Sequence, residues 1–208
     1  MDGKPFICAD CGRGFVVGDS VLARYKNWAP RKCLDCRGTP QRQRTPRLEL
    51  STEETLKEYR GGPDTGIFTD GHCDPNPGHG GWGAVKVVAG EMVEEHYGEE
   101  EASTNNRMEL KALIEGYKMI GGDEDIAIYS DSELCVNTIT TWASGWKQKG
   151  WKRKGGEIKN LDLVKELYEL AESRPKARLE WIRGHSGARW NEYADALSRK
   201  SKLERVSS

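Results

Sequence analysis

FTDGHCDPNPGHGGWG, residues 68–83, decides the fold of this 208-residue chain. Ile67, Phe68 and Thr69 lead into Asp70, which reads as a buried strand ending on a carboxylate. The Gly- and Pro-rich stretch after it is a turn region, and WGAVKVVAG (82–90) and EMVEEHYG (91–98) follow as a hairpin pair turning at Ala89–Gly90. Thr104 suits the N-cap of a helix running through Ile120, with Leu110, Leu113, Ile114 and Tyr117 at i, i+3, i+4 and i+7. DIAIYS (125–130) is a buried strand closed by Ser130–Asp131, and a helix is expected from about Ser132. NLDLVKELYELAES (160–173) reads as an amphipathic helix, RLEWIRG (178–184) as a strand, and ARWNEYADALSRKS (188–201) as a last helix. The order β-β-β-α-β-α-α-α-β-α predicts an α/β domain, a mixed sheet with helices on its faces.

Four acids fall at special places on these elements. Asp70 and Asp131 lie at or near the carboxyl ends of two strands, Glu109 sits in TNNRMEL on the sheet-facing side of its helix, and Asp195 sits in GHSGARWNEYADAL on the last helix. Carboxylates brought together repel one another and are costly to desolvate unless a cation neutralises them. Hard oxygen ligands of this kind suit Mg²⁺ or Mn²⁺, and a pair of such ions suits phosphodiester hydrolysis. Asp195 taken alone is an ordinary solvated acid; its case rests on its company.

The N-terminal segment is of a different kind. Cys8, Cys11, Cys33 and Cys36 form two CxxC pairs in a stretch too short to bury much of a core. Neither pair lies in a βαβ context, so metal binding is favoured over redox chemistry, with one structural Zn²⁺ ahead of iron. The segment resembles small zinc-ribbon-like domains. Residues 1–50 carry ten Lys and Arg against five Asp and Glu, while the remainder has 22 against 28, so only the N-terminal part favours a polyanionic partner. The expected organisation is a four-cysteine zinc-binding domain over 1–38, a basic linker over 39–65 with a short helix near Thr52–Tyr59, a catalytic domain over 66–202, and a tail over 203–208. No stretch is long and apolar enough to span a bilayer, and MDGKPFICAD lacks a signal peptide's features, so no membrane association and a cytoplasmic location are expected.

TDGHCDPNPGHGGWG, TNNRMEL, SDSELCVN and GHSGARWNEYADALS together resemble the four signature stretches of the type 1 ribonucleases H. They occur in that family's order and near its spacing, over residues 66–200. The resemblance implies the ribonuclease H-like fold, a five-stranded mixed sheet in the order 3-2-1-4-5 flanked by helices. It implies an endonuclease that hydrolyses the RNA strand of RNA–DNA hybrids with two Mg²⁺ or Mn²⁺ ions, leaving 5′-phosphate and 3′-hydroxyl ends. Asp70 would bridge both ions, Asp195 would complete the one that activates water, and Glu109 and Asp131 would hold the one at the leaving 3′ oxygen. His185, ten residues before Asp195 in RGHSG, matches the family's proton-moving histidine.

Substrate contacts follow from the same resemblance. Asn76, Asn105 and Asn106 stand at minor-groove positions, and Thr104 at a phosphate pocket. WASGWKQKGWKRKGGEIK (142–159) interleaves Trp142, Trp146 and Trp151 with Lys147, Lys149 and Lys152, matching the family's basic protrusion. The lysines are assigned to phosphate and at least one tryptophan to packing. Two positions depart from the family: Glu133, where glutamine is usual, and Gly145, where some members have asparagine. For the N-terminal domain the expectations are added nucleic-acid affinity or docking to a replication or repair protein.

Overall fold

β3 (Gly66–Cys73) is the spine of the structure, a computed structural model that describes residues 3–8, 12, 14–24 and 50–200. All of β3 except His72 is buried, as expected for a central strand covered on both faces. It pairs antiparallel with β4 (Gly78–Val88) and parallel with β6 (Ala127–Ser130). β5 (Glu91–Ser103) extends the sheet beyond β4, and β7 (Arg178–Trp181) extends it beyond β6. The sheet order is therefore β5-β4-β3-β6-β7, the 3-2-1-4-5 arrangement counted within this domain. The β4–β5 turn uses Ala89 at φ 50° and Gly90 at φ 81°, the positive pair that twists a tight hairpin correctly.

Helices cover both faces. On one, α3 (Asn105–Lys118) and α6 (Leu161–Glu172) enclose a core of Ile67, Leu113, Ile114, Tyr117, Ile128, Val164 and Leu167. Each such side chain contributes about 1.5–3 kcal/mol by leaving water, less the ordering entropy. On the other face, α7 (Arg189–Ser198) packs Trp190, Tyr193, Ala194 and Leu197 against Phe68, Val85 and Val87. α4 (Glu133–Asn137), a π-helical turn over Thr138–Trp142 and α5 (Ala143–Gln148) form the connection between β6 and α6. Among the described residues no helix is long and apolar enough to cross a membrane.

The chain divides into two units, residues 1–48 and 49–208. In the first, β1 (Gly3–Ile7) and β2 (Gly14–Gly18) pair antiparallel, with Phe6 opposite Phe15 and their rings stacked at 5.9 Å; α1 (Asp19–Arg24) follows. The second unit begins with α2 (Thr52–Glu58), a helix in the stretch read as linker. Its N-cap Ser51 and Glu54 form a reciprocal capping box.

Candidate active site at the ends of two parallel strands

The register of β3 and β6 builds the site. Thr69 and Ser130 are the last pair of the parallel ladder, so Asp70 and Asp131 follow it side by side on strands about 5 Å apart; Asp131 stands just past the end of β6, whereas β3 does not end on Asp70 as the sequence suggested but runs on to Cys73, held by its pairing with β4. Gly71 lets α3 lie directly on β3: a Cβ there would stand 2.1 Å from the Glu109 backbone nitrogen. That close approach brings Glu109, in the second turn of α3, to the strand ends. On the opposite face Gly81 does the same for α7, since its Cβ would meet the Ser198 carbonyl oxygen at 2.1 Å. Asp195 is thereby carried to the site. Ser198 fastens the corner, its hydroxyl donating to the Asp195 carbonyl at 2.8 Å and to Asp70 Oδ2 at 3.4 Å.

Asp70, Glu109 and Asp131 each offer an oxygen within 4.8 Å of the others, and His185, Glu192 and Asp195 form a second group of the same kind. The electrostatics follow from the crowding. Burial, then the charges of Glu109, Asp195 and Asp131, push the Asp70 carboxyl well above the ordinary range. Burial and Asp131 do the same to Glu109, against a hydrogen bond from the Gly71 backbone. Burial also raises Asp131, partly countered by a hydrogen bond from Asn191 and the charge of His185. Asp195 goes the other way: burial would raise it, but the hydrogen bond and charge of Arg199, one turn along the helix, outweigh burial and lower it. Glu109 Oε2 is buried with no hydrogen-bond partner among the described residues. A buried carboxylate oxygen without a donor, facing other carboxylates, fits a hard divalent cation.

His185 stands in the loop Arg183–Ala188 with φ 53°, its side chain 55% exposed. Its Nδ1 is 3.9 Å from Glu192 Oε2, and Glu192 Oε1 accepts the Gly187 backbone N–H at 3.2 Å. A Cβ at Gly184 would sit 2.3 Å from Asp131 Oδ2, so a larger residue there would push that carboxylate aside. Asn191, Glu192, Ser198, Arg199 and Gly184 escaped the sequence reading. The first four share a signal that could have found them. They recur at spacings of three and four with Asp195, a polar stripe on a helix whose other residues are mostly apolar.

The other sequence-predicted residues fall in two places. Thr104 caps α3, accepting the Arg107 N–H at 3.4 Å, and Asn76 Oδ1 accepts the Asn105 N–H at 3.3 Å, which ties the β3–β4 turn to the start of α3. Asn106, Trp142 and Trp146 line a cavity of about 240 Å³ together with Arg153, Lys159 and Asn160. Trp151 packs edge-on against Tyr168 at 6.0 Å. Lys147 pairs with Glu172 and lies 5.4 Å over the Tyr168 ring, whereas Lys149 and Lys152 are exposed. Glu133 is exposed in the first turn of α4, and a Cβ at Gly145 would meet open space. Of the four cysteines assigned to zinc, Cys8 is buried just after β1; Cys11, Cys33 and Cys36 lie outside the described residues.

A family model for RNase H matches residues 63–202, the whole of this sheet and its helices. The chain belongs to the RNase H family. Curated RNase H relatives agree: "Ribonuclease H" of Herminiimonas arsenicoxydans is 43% identical over 143 residues, covering 68% of this chain and 96% of its own. That of Agrobacterium fabrum is 46% identical over 135 residues, 64% of this chain and 91% of its own. The Methylorubrum extorquens enzyme is 43% identical over 141 residues, 68% of this chain but 61% of its own length. Among solved structures, LC9-RNase H1, a type 1 RNase H with the type 2 active-site motif, superposes with a TM-score of 0.58 at 30% identity, over 70% of this chain and 75% of that one. LC11-RNase H1, crystallised in complex with an RNA/DNA hybrid, gives 0.51 at 25% identity, over 68% and 98%. The chain is thus an RNase H enzyme with a further unit, residues 1–48, ahead of the matched region.

Proposed function

We propose that this RNase H hydrolyses the RNA strand of RNA–DNA hybrids with two divalent cations, leaving 5′-phosphate and 3′-hydroxyl ends. The observation that carries the reading is the convergence of Asp70, Glu109 and Asp131 beside the end of the parallel β3–β6 ladder, with Asp195 near enough for its charge to act on Asp70. The hybrid seen with LC11-RNase H1 supports the substrate class. Asp70 would be shared between two Mg²⁺ or Mn²⁺ ions, with Asp195 completing the set beside the attacking water, and Glu109 and Asp131 the set beside the leaving oxygen. Ions bound there supply a more acidic water and neutralise charge that builds on the scissile phosphate.

The chain's own side chains do the rest. His185 is exposed enough to reach substrate and close enough to Glu192 to be oriented, and an imidazole is the side chain suited to moving a proton near neutral pH. Asn191 holds Asp131 in place through its hydrogen bond. The tied pair Asn76 and Asn105 offers amides to a minor groove, where sugar hydroxyls distinguish RNA from DNA. Asn106, Trp142 and Trp146 form the wall against which the second strand packs, and the exposed lysines beyond meet its phosphates. In residues 1–38 the four cysteines would hold one Zn²⁺. In support, Gly12, left-handed at φ 69°, donates its N–H to the Cys8 carbonyl at 2.9 Å, the tight turn a CxxC knuckle needs.

A labelled hybrid incubated with Mg²⁺ or Mn²⁺ tests the main reading. Wild type is expected to cut only the RNA strand, and Asp131→Asn to lose roughly 10²–10³-fold in kcat, as removal of a main charge-stabilising group does. Hybrid binding by Asp131→Asn stays close to wild type. Absence of cleavage by wild type with either ion, or preferential cutting of duplex RNA, would overturn the assignment.

A further inference from the structure

We infer that Tyr59–Gly62, the segment just before the central strand, is a positioning brace for His185. The inference rests on the proton-moving role assigned to His185 above.

The segment is anchored before it reaches the loop. Ser51 and Glu54 cap α2, Ser51 N–H donating to Glu54 Oε2 at 2.8 Å, while Leu56 packs against the core that contains Phe68, Val85 and Trp190. After Glu58 the backbone turns extended at Tyr59 and comes beside Gly187 and Ala188, two residues beyond His185. Gly61 pairs with Ala188 as a parallel bridge, and its carbonyl accepts the Arg189 N–H at 2.7 Å. The contact is too close for a side chain at Gly62 and in van der Waals range at Gly61. A Cβ on Gly62, which has φ 89°, would stand 2.8 Å from the Ala188 Cβ, and one on Gly61 would stand 3.4 Å from the Gly187 carbonyl oxygen. The Tyr59 ring lies over Gly187, 3.9 Å from where its Cβ would be. Arg60 bonds back to the carbonyls of Leu56 and Tyr59 and stiffens the turn between helix and bridge.

The loop needs such support. His185 holds φ 53°, a conformation costly for a residue with a Cβ and kept only where its surroundings fix it. Glu192 fixes the loop from α7 by accepting the Gly187 N–H. Tyr59, Gly61 and Gly62 fix it from the other side. Loss of that second side lets the imidazole move relative to the carboxylates while leaving the substrate-binding wall untouched.

The test is a double-mutant cycle in the full chain, read as kcat and KM on a hybrid. Tyr59→Ala and Gly62→Ala are each expected to lower kcat on the order of tenfold, less than the roughly 10²-fold that a full ångström of misplacement can cost, with KM unchanged. In a His185→Ala background the same changes are expected to cost less than about twofold, the non-additivity that marks residues acting through one another. Should Gly62→Ala fail to fold, Tyr59→Ala alone carries the cycle, and Tyr59→Phe, which keeps the ring, should retain wild-type kcat. Equal losses with and without His185, or no loss from Tyr59→Ala where His185→Ala does lower kcat, would overturn the brace alone. No loss from His185→Ala itself would instead overturn the role of His185, and the brace with it.

Discussion

Asp70 is 6% exposed, and three carboxylates raise its pKa beyond what burial does. Below about pH 4, Asp70 and Glu109 are neutral both folded and unfolded, and their crowding costs nothing. As pH rises past that value the unfolded chain releases protons that the native state still holds, so stability falls with pH. Asp70→Asn is therefore expected to raise the Tm of the cation-free protein at pH 8, by at least the roughly 2–4 °C that 1 kcal/mol represents at this size. The gap should close toward pH 4. Calorimetry in chelator at both pH values checks this, and an unchanged Tm at pH 8 contradicts it. At this scale Asp70, Glu109 and Asp131 stood out by their places on apolar strands and on the sheet-facing side of a helix, whereas Asp195 was read only through the family's signature stretches. Asn191 and Ser198 were not read, because their roles depend on which face of α7 meets β3 and β4. Gly184 gave no signal: its requirement is a side-chain oxygen 53 positions earlier in the chain.

The connection from β6 to α6 shows what an element adds. The sequence led to two helices, the first from about Ser132, ahead of the one at 160–173, with a Trp–Lys protrusion; the structure has α4 and α5 there, joined by a π-helical turn and ended by Gly150 at φ 65° and Trp151 at φ 60°. A π turn inserts a residue and re-aims the side chains beyond it. Here Trp142 and Trp146 come within 6.1 Å of each other beside the cavity at Asn106. No propensity pattern announces such a turn. The lysines likewise divide by partners distant in sequence: Lys147 is committed to Glu172 and Tyr168, and Lys149 and Lys152 are exposed. The double variant Lys149→Ala/Lys152→Ala is expected to weaken hybrid binding and to reduce the slope of log K against log salt by about 1–2, since each lost phosphate contact removes about 0.9. Lys147→Ala should change the slope little. Fluorescence anisotropy across a salt series distinguishes them, and equal effects would refute the division.

For the whole molecule, the contrast in charge between residues 1–50 and the rest gives the first unit a separable contribution. Removing residues 1–48 is expected to weaken hybrid binding several-fold at low salt and hardly at all at high salt, with kcat kept. Zinc analysis of the full chain should give about one ion, lost in Cys33→Ser/Cys36→Ser, with the same loss of affinity. Affinity unchanged by the deletion would point to a protein partner instead. A mixed sheet with helices on its faces was readable from apolar runs and 3.6-residue periodicity, whereas the strand order was implied only by the family's signature stretches, because strands buried on both faces, like β3, carry no mark of their neighbours. The docking of α2 was not readable, since it depends on Leu56 finding a core assembled from residues up to 197. The same geography governs when the enzyme comes into being. Its four acids are spread from position 70 to position 195, and Asp195 arrives only with α7. A nascent chain that has exposed β3, α3 and β6 already carries three of them, yet their mutual repulsion opposes any early gathering. The two cores must close first, so during synthesis this nuclease stays incomplete until α7 has been made.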